Sequence, residues 1–214
     1  MGVYLNPGNV DFQEVLNSKI YVDKSELIQY TNSVLRTTQK YICVSRPRRF
    51  GKSMAANMLT AYYSRGCDSR EMFQELKIAK HTDFEKHLNQ YNVIHLNMRD
   101  YLTESENMKQ LIQFVEEDLL DELQQEFADL RMPRRKTLVK VLEQAFAQYK
   151  IPFVFIIDEW DCIFRVHKSD AASQKTYLDF LRNLLKDKSY IALAYMTGIL
   201  PIKKYGEHSA INAF

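Results

Sequence analysis

Val44-Ser45-Arg46-Pro47-Arg48-Arg49-Phe50-Gly51-Lys52-Ser53 is the stretch that decides the fold. Before it runs the apolar segment Tyr41-Ile42-Cys43-Val44; after it Met54, Met58, Leu59 and Tyr62 recur at helical spacing. A strand, a basic turn closing in Gly-Lys-Ser and a helix form the layout of a phosphate-binding loop. The helix N-terminus and successive backbone N–H groups of such a loop bind phosphate oxygens. Gly51 lets the backbone approach the ligand, Lys52 is placed to reach the β- and γ-phosphates, and Ser53 to coordinate Mg2+. The pattern G-x-x-x-x-G-K-S/T has Gly where this chain has Arg46, and a side chain there is costly only if φ is positive. Pro47 stiffens the turn, and Arg48 and Arg49, followed by Phe50, add cationic charge beside a polyanion. The plain alternative is a chance Arg-Phe-Gly-Lys-Ser on a basic helix start.

Working outward, a second stretch weakens that alternative. Phe153-Val154-Phe155-Ile156-Ile157 is five apolar residues, entered through Pro152 and ending in Asp158-Glu159. Lys52 lies 106 residues upstream of Asp158. Ligand groups in open α/β sheets gather at the carboxyl ends of strands. Asp158 is then expected to hold Mg2+ with Ser53, and Glu159 to act as the general base that activates water. Trp160, the single tryptophan, comes next and is expected near the site, either packed at the sheet end or in contact with a ligand. Two more runs, Asn92-Val93-Ile94-His95-Leu96 and 190–196, are apolar on both faces, as strands buried in a parallel sheet are. The latter ends in Thr197-Gly198, and Thr197 is the candidate for contact with the γ-phosphate or the attacking water.

Strands alternating with helical periodicity predict a three-layer α/β/α sandwich with a mostly parallel sheet. Residues 1–39 read as an N-terminal appendage, and 40–214 as a phosphate-loop core, incomplete at its C-terminus. Asp23-Lys24-Ser25-Glu26 reads as a capping box with Asp23 as N-cap, or as a contact on the nucleotide side. Gly66 is the expected C-cap of the helix after the loop, and Ser173 the expected N-cap of a helix carrying Tyr177, Phe180, Leu181, Leu184 and Leu185. Met108, Ile112, Val115, Leu119, Leu123 and Phe127 line one face of a long helix. Its acidic residues Glu116, Glu117, Asp118, Asp121 and Glu122 read as solvated surface.

The composition narrows the function classes. The 214 residues carry 29 Lys+Arg against 27 Asp+Glu, so the net charge of +2 does not demand a nucleic-acid partner. No run approaches the roughly 18 apolar residues of a membrane span, and the N-terminus lacks a secretory pattern. Cys43, Cys67 and Cys162 are far apart, with no C-x-x-C and no Cys/His cluster, so a zinc site or disulfide framework is not expected. A reduced, cytoplasmic protein is the expectation.

The loop RPRRFGKS, the strand end FIIDEWD, the segment YVDKSELI and the tail YMTGILPIKKYGEHSAINAF together resemble the AAA-ATPase-like family. This is a group of P-loop NTPases of the additional-strand catalytic-glutamate class. The resemblance runs over nearly the whole chain, and the family's loop also carries Arg in place of the first Gly, which makes Arg46 a family trait. It implies ATP and Mg2+ as cofactors, Walker B acids at Asp158 and Glu159, and a signature at Tyr21, Asp23 and Lys24. Family members commonly continue into more core, a lid and often a nuclease-like domain. A chain ending at Phe214, 16 residues past Gly198, is therefore expected to lack the fifth core strand and the lid, and to expose an apolar edge beside the loop strand. The leading function is a Mg2+-dependent ATPase that couples nucleotide state to a partner or downstream domain. The alternatives are a nucleotide-gated module without useful turnover, or a nucleic-acid-associated protein using Arg131, Arg134, Arg135 and Lys136 beside the basic loop. A homo-oligomer also stays open, and no membrane partner is expected.

Overall fold

The computed structural model describes residues 2–201; residues 202–214, the last part of the tail, lie outside them. The elements in order are α1 (Val10–Leu16), α2 (Glu26–Val34), β1 (Tyr41–Ser45), α3 (Lys52–Tyr63), α4 (Arg70–Phe73), a 3-10 turn (Lys77–Lys80), α5 (Phe84–His87) and β2 (Asn92–Asn97). Then come α6 (Met98–Glu104), α7 (Met108–Glu126), α8 (Leu138–Tyr149), β3 (Phe153–Asp158), α9 (Cys162–Val166), α10 (Ala171–Leu185) and β4 (Ile191–Gly198). All four expected strands form, and they pair in parallel in the order β1-β4-β3-β2.

The pleat sorts side chains into two cores, one on each face. Phe153, Phe155 and Ile157 join α7, α8 and α10 on one side; Val154 and Ile156 join α2 and α3 on the other. That two-sided burial makes the sandwich three-layered and explains why β3 and β4 are apolar up to their ends at Asp158 and Thr197. β4 carries one irregularity: Phe153 pairs with Ile191 but Val154 with Leu193, skipping Ala192. Ala192 and Leu193 thus both face the α2/α3 core, while Ile191 and Ala194 face the other.

The two sheet edges differ. β2 is covered by the N-terminus: Leu5 bridges Ile94 antiparallel, and Asn6 exchanges N–H···O bonds with Val93 through its backbone and its side-chain carbonyl. The outer side of β1 pairs with no other strand among the described residues.

Three local expectations are corrected. Ser25, not Asp23, is the N-cap of α2, and no capping box forms; Asp23 accepts from the Ser25 and Lys77 amides, tying the turn to the 3-10 segment, and Glu26 pairs with Lys77. Asp170, not Ser173, caps α10, its carboxylate accepting from the Ser173 N–H at 3.0 Å. The helix α3 ends at Tyr63 with Ser64, not Gly66, as its C-cap. In addition, the acidic face of α7 is not all solvated. The Glu122 carboxylate accepts from the Val3, Tyr4 and Leu5 amides at 2.6–3.0 Å, and Asp118 from the Tyr101 hydroxyl. Part of that face therefore anchors the N-terminal strap that covers β2. Arg131, Arg134, Arg135 and Lys136 lie exposed in the connection between α7 and α8.

Candidate functional site

The carboxyl ends of β1, β4 and β3 lie side by side, so the turn leaving β1 faces the acids leaving β3. The Arg46 N–H extends the ladder by donating to the Gly198 carbonyl at 3.1 Å. Arg46 does not have a positive φ, so its side chain adds no backbone strain where the phosphate-loop pattern has Gly. The strain lies further on, at Arg49 with φ 68°; Gly51, at φ 73°, takes the same left-handed turn without a Cβ to oppose it, and the two swing the chain into α3. Lys52 is the first residue of α3, largely buried, with its ammonium folded back on the Pro47 carbonyl at 3.1 Å. Lys24 reaches the same turn from α2's approach and donates to the Phe50 carbonyl at 3.3 Å. Of the YVDKS signature, Lys24 therefore touches the loop, while Asp23 holds the neighbouring turn; burial pushes the Asp23 carboxyl up, but the Ser25 and Lys77 hydrogen bonds outweigh it and leave it below the ordinary value.

Asp158 sits where these parts meet. Its Oδ2 accepts from the Ser53 hydroxyl at 2.5 Å, and its Oδ1 from the Thr197 hydroxyl and the Glu159 amide. Ser53, Asp158 and Thr197 come from the helix after β1, from β3 and from β4, three places brought together only by the strand order. Thr197 is fully buried and directs its hydroxyl to Asp158.

Beyond Asp158 the chain turns sharply. Glu159 has φ 53°, left-handed, and its carboxylate is ion-paired with Arg165 of α9. Arg165 also lies 3.2 Å from Asp161 Oδ2, which accepts from the Ile199 and Leu200 amides at 3.0 and 2.8 Å. Sequence reading missed Arg165; its only local signal is the Asp161–Arg165 spacing of four along a helix. Trp160 is fully buried against Phe164, and its carbonyl accepts from the Tyr177 hydroxyl. Its Nε1 and Asp161 Oδ1 are buried with no hydrogen-bond partner among the described residues, and both crowd Gly198. A Cβ on Gly198 would stand 2.7 Å from each. Gly198→Ala is accordingly expected to cost about 1–3 kcal/mol by overpacking. Chemical denaturation measures it; an unchanged midpoint would show that the indole and carboxylate yield freely.

A polar cleft of about 360 Å³ opens beside Ser53 and Asp158, lined by Asn57, Thr60, His95, Asn97 and Asp100 among others. His95 Nδ1 lies 3.0 Å from the Thr60 hydroxyl. Burial pushes His95 below its ordinary value of 6.5, with the Asp158 charge opposing. The folded state then takes up the proton less readily than the unfolded one, so stability is held above about pH 6.5 and lost as pH falls below it. His87 is lowered by burial in the same direction. Thermal midpoints measured from about pH 7.5 down to 5.5 should fall, and should fall less in a His87→Asn/His95→Asn double variant. Identical slopes would mean neither imidazole controls the loss.

Four parallel strands with helices on both faces make this an α/β sandwich, and a basic turn, a helix N-terminus and acid side chains meet at the carboxyl ends of its strands. A family model described as a predicted AAA-ATPase matches residues 7–206, and the chain belongs to that family. No curated protein matches the chain. No helix among the described residues is long and apolar enough to cross a membrane.

Proposed function

We propose that the chain binds ATP with Mg2+ on residues 46–53 and hydrolyses it, so that nucleotide state is relayed to a partner or a further domain. The observation that supports this most is the Ser53–Asp158 hydrogen bond, because it joins the end of the basic turn to the acid ending β3. The donors suit the metal: Mg2+ is a hard cation that takes one or two protein oxygens and completes its shell with phosphate and water. When bound there, it would neutralise charge developing on the phosphates. Residues 1–39 serve the core 40–214 in this reading, and supply Lys24 to the turn.

The chain's own residues divide the work. Lys52 exchanges the Pro47 carbonyl for phosphate oxygens, and Arg46, Arg48 and Arg49 add positive charge around Pro47 and Phe50. The Gly51 backbone lets the phosphates approach the start of α3. Thr197 orients Asp158. Glu159 accepts the proton of the attacking water, and the carboxylate must loosen from Arg165 for both its oxygens to serve. That same ion pair favours a second reading, nucleotide binding without useful turnover.

The test of binding is Lys52→Ala. Loss of a charge-assisted contact is worth about 1.5–3 kcal/mol, so Mg·ATP affinity should fall roughly 10- to 150-fold. Calorimetric titration of both proteins reads this directly, and equal affinities would remove Lys52 and the loop from the site. Phosphate release measured beside the titration separates turnover from binding alone.

A further inference from the structure

Arg165 stands between two carboxylates in unlike surroundings. Glu159 on one side is partly exposed, and Asp161 on the other is fully buried. The guanidinium pairs with Glu159 through Nη2, and its Nε lies 3.2 Å from Asp161 Oδ2. That same Asp161 oxygen accepts from the Ile199 and Leu200 amides at 3.0 and 2.8 Å. The Leu200 carbonyl is held in turn by the hydroxyl of Ser45, the last residue of β1, at 2.8 Å. A single series of contacts thus runs from Glu159 through Arg165 and Asp161 to the chain leaving β4, and Ser45 pins its far end beside the basic turn. The near end is strained, since Glu159 carries a Cβ at φ 53°.

We infer that Arg165 is a latch on Glu159 set by the Ile199-Leu200 segment, so that displacing this segment switches hydrolysis on. This rests on the reading of Glu159 as the base. Asp161 gives the latch its direction. A buried carboxylate left short of donors is costly, far more so than a partly exposed one that water can reach. With both amides on its Oδ2, Asp161 leaves the guanidinium to be shared, and Arg165 occupies an oxygen of Glu159. A lone pair that accepts from Arg165 cannot also take the proton of the attacking water. With the amides withdrawn, the guanidinium closes on Asp161 in the two-pronged geometry that suits arginine, and Glu159 is freed. The coupling is reciprocal. Whatever draws Glu159 toward the attacking water hands Arg165 to Asp161 and loosens Ile199 and Leu200. The segment after β4 is therefore both the input to the base and the output of nucleotide state.

Phosphate release by the full chain at varied Mg·ATP tests this. Arg165→Gln should raise kcat at least about tenfold, the lower bound for a charge-assisted hydrogen bond, and leave KM within about threefold. From a parent with no measurable release, the appearance of release is the same result. Ser45→Ala, which frees the Leu200 carbonyl, should raise kcat about two- to tenfold, the range for a neutral bond. Neither change should accelerate release in the Glu159→Gln background, where no base remains to be freed. Arg165→Gln no faster than a parent that binds Mg·ATP would overturn the latch and leave the phosphate reading of residues 46–53 standing. Acceleration that persists in the Glu159→Gln background would overturn it as well, since the effect would not run through the base. If Arg165→Gln does not fold, Ser45→Ala decides alone, and the parental kcat would overturn the latch. Failure of the parent to bind Mg·ATP in a calorimetric titration would overturn the phosphate reading and the latch with it.

Discussion

Glu159→Gln should release phosphate at least a hundredfold more slowly than the parent chain while binding Mg·ATP with similar affinity. A positioned general base is worth about 10²–10⁴ in rate, and an amide of the same size cannot take the proton. The amide oxygen still accepts from the Arg165 guanidinium, so the turn at Glu159 keeps its partner and its fold. Asp158→Asn should act differently. It removes the charge and replaces one of the two oxygens that accept from Ser53 and Thr197 by a donor, and should weaken Mg2+-dependent binding itself. The pair of variants therefore separates proton transfer from metal holding. Phosphate release from Glu159→Gln at the parent rate would assign the base elsewhere.

Trp160→Ala should cost about 3–5 kcal/mol of stability, because a fully buried indole leaves a cavity that its neighbours fill only in part. The backbone bonds at this residue, to Thr197 and from Tyr177, survive the change, so the loss measures packing alone. A domain's whole stability is about 5–15 kcal/mol, so the variant should fold but unfold at much lower denaturant. Trp160 stands between Glu159 and Asp161, and loosening it should also lower nucleotide affinity. A loss below about 1 kcal/mol would show that Phe164 and Tyr177 close over the gap.

Legibility in the sequence tracks burial. The central strands β3 and β4 were legible because both their faces are covered, which leaves runs such as Phe153-Val154-Phe155-Ile156-Ile157 no polar position. The meeting of Ser53 with Asp158 was legible because each closes its own local pattern. Caps were not, because Asp23, Ser25, Asp170 and Ser173 are all competent side chains, and tertiary contacts such as the Lys77 amide choose among them. The strap held by Glu122 joins groups up to 119 residues apart with no local mark in either. Arg165 stayed hidden for a related reason. An arginine on an amphipathic helix looks solvated until the turn at Glu159, with its left-handed φ, brings the carboxylate over it. The skip at Ala192 leaves no trace either, since alanine suits both faces.

The unequal edges of the sheet give it a direction. With the strap lying along β2, that end behaves like a capped chain end, closed to addition. Among the described residues the outer side of β1 is the open terminus, five residues long and within one residue of the basic turn. Any strand that lengthens the sheet, from this polypeptide or another, must therefore dock there, and in doing so it would brace the strand from which the phosphate turn springs. Growth of the sheet and rigidity of the loop are thus coupled by position alone.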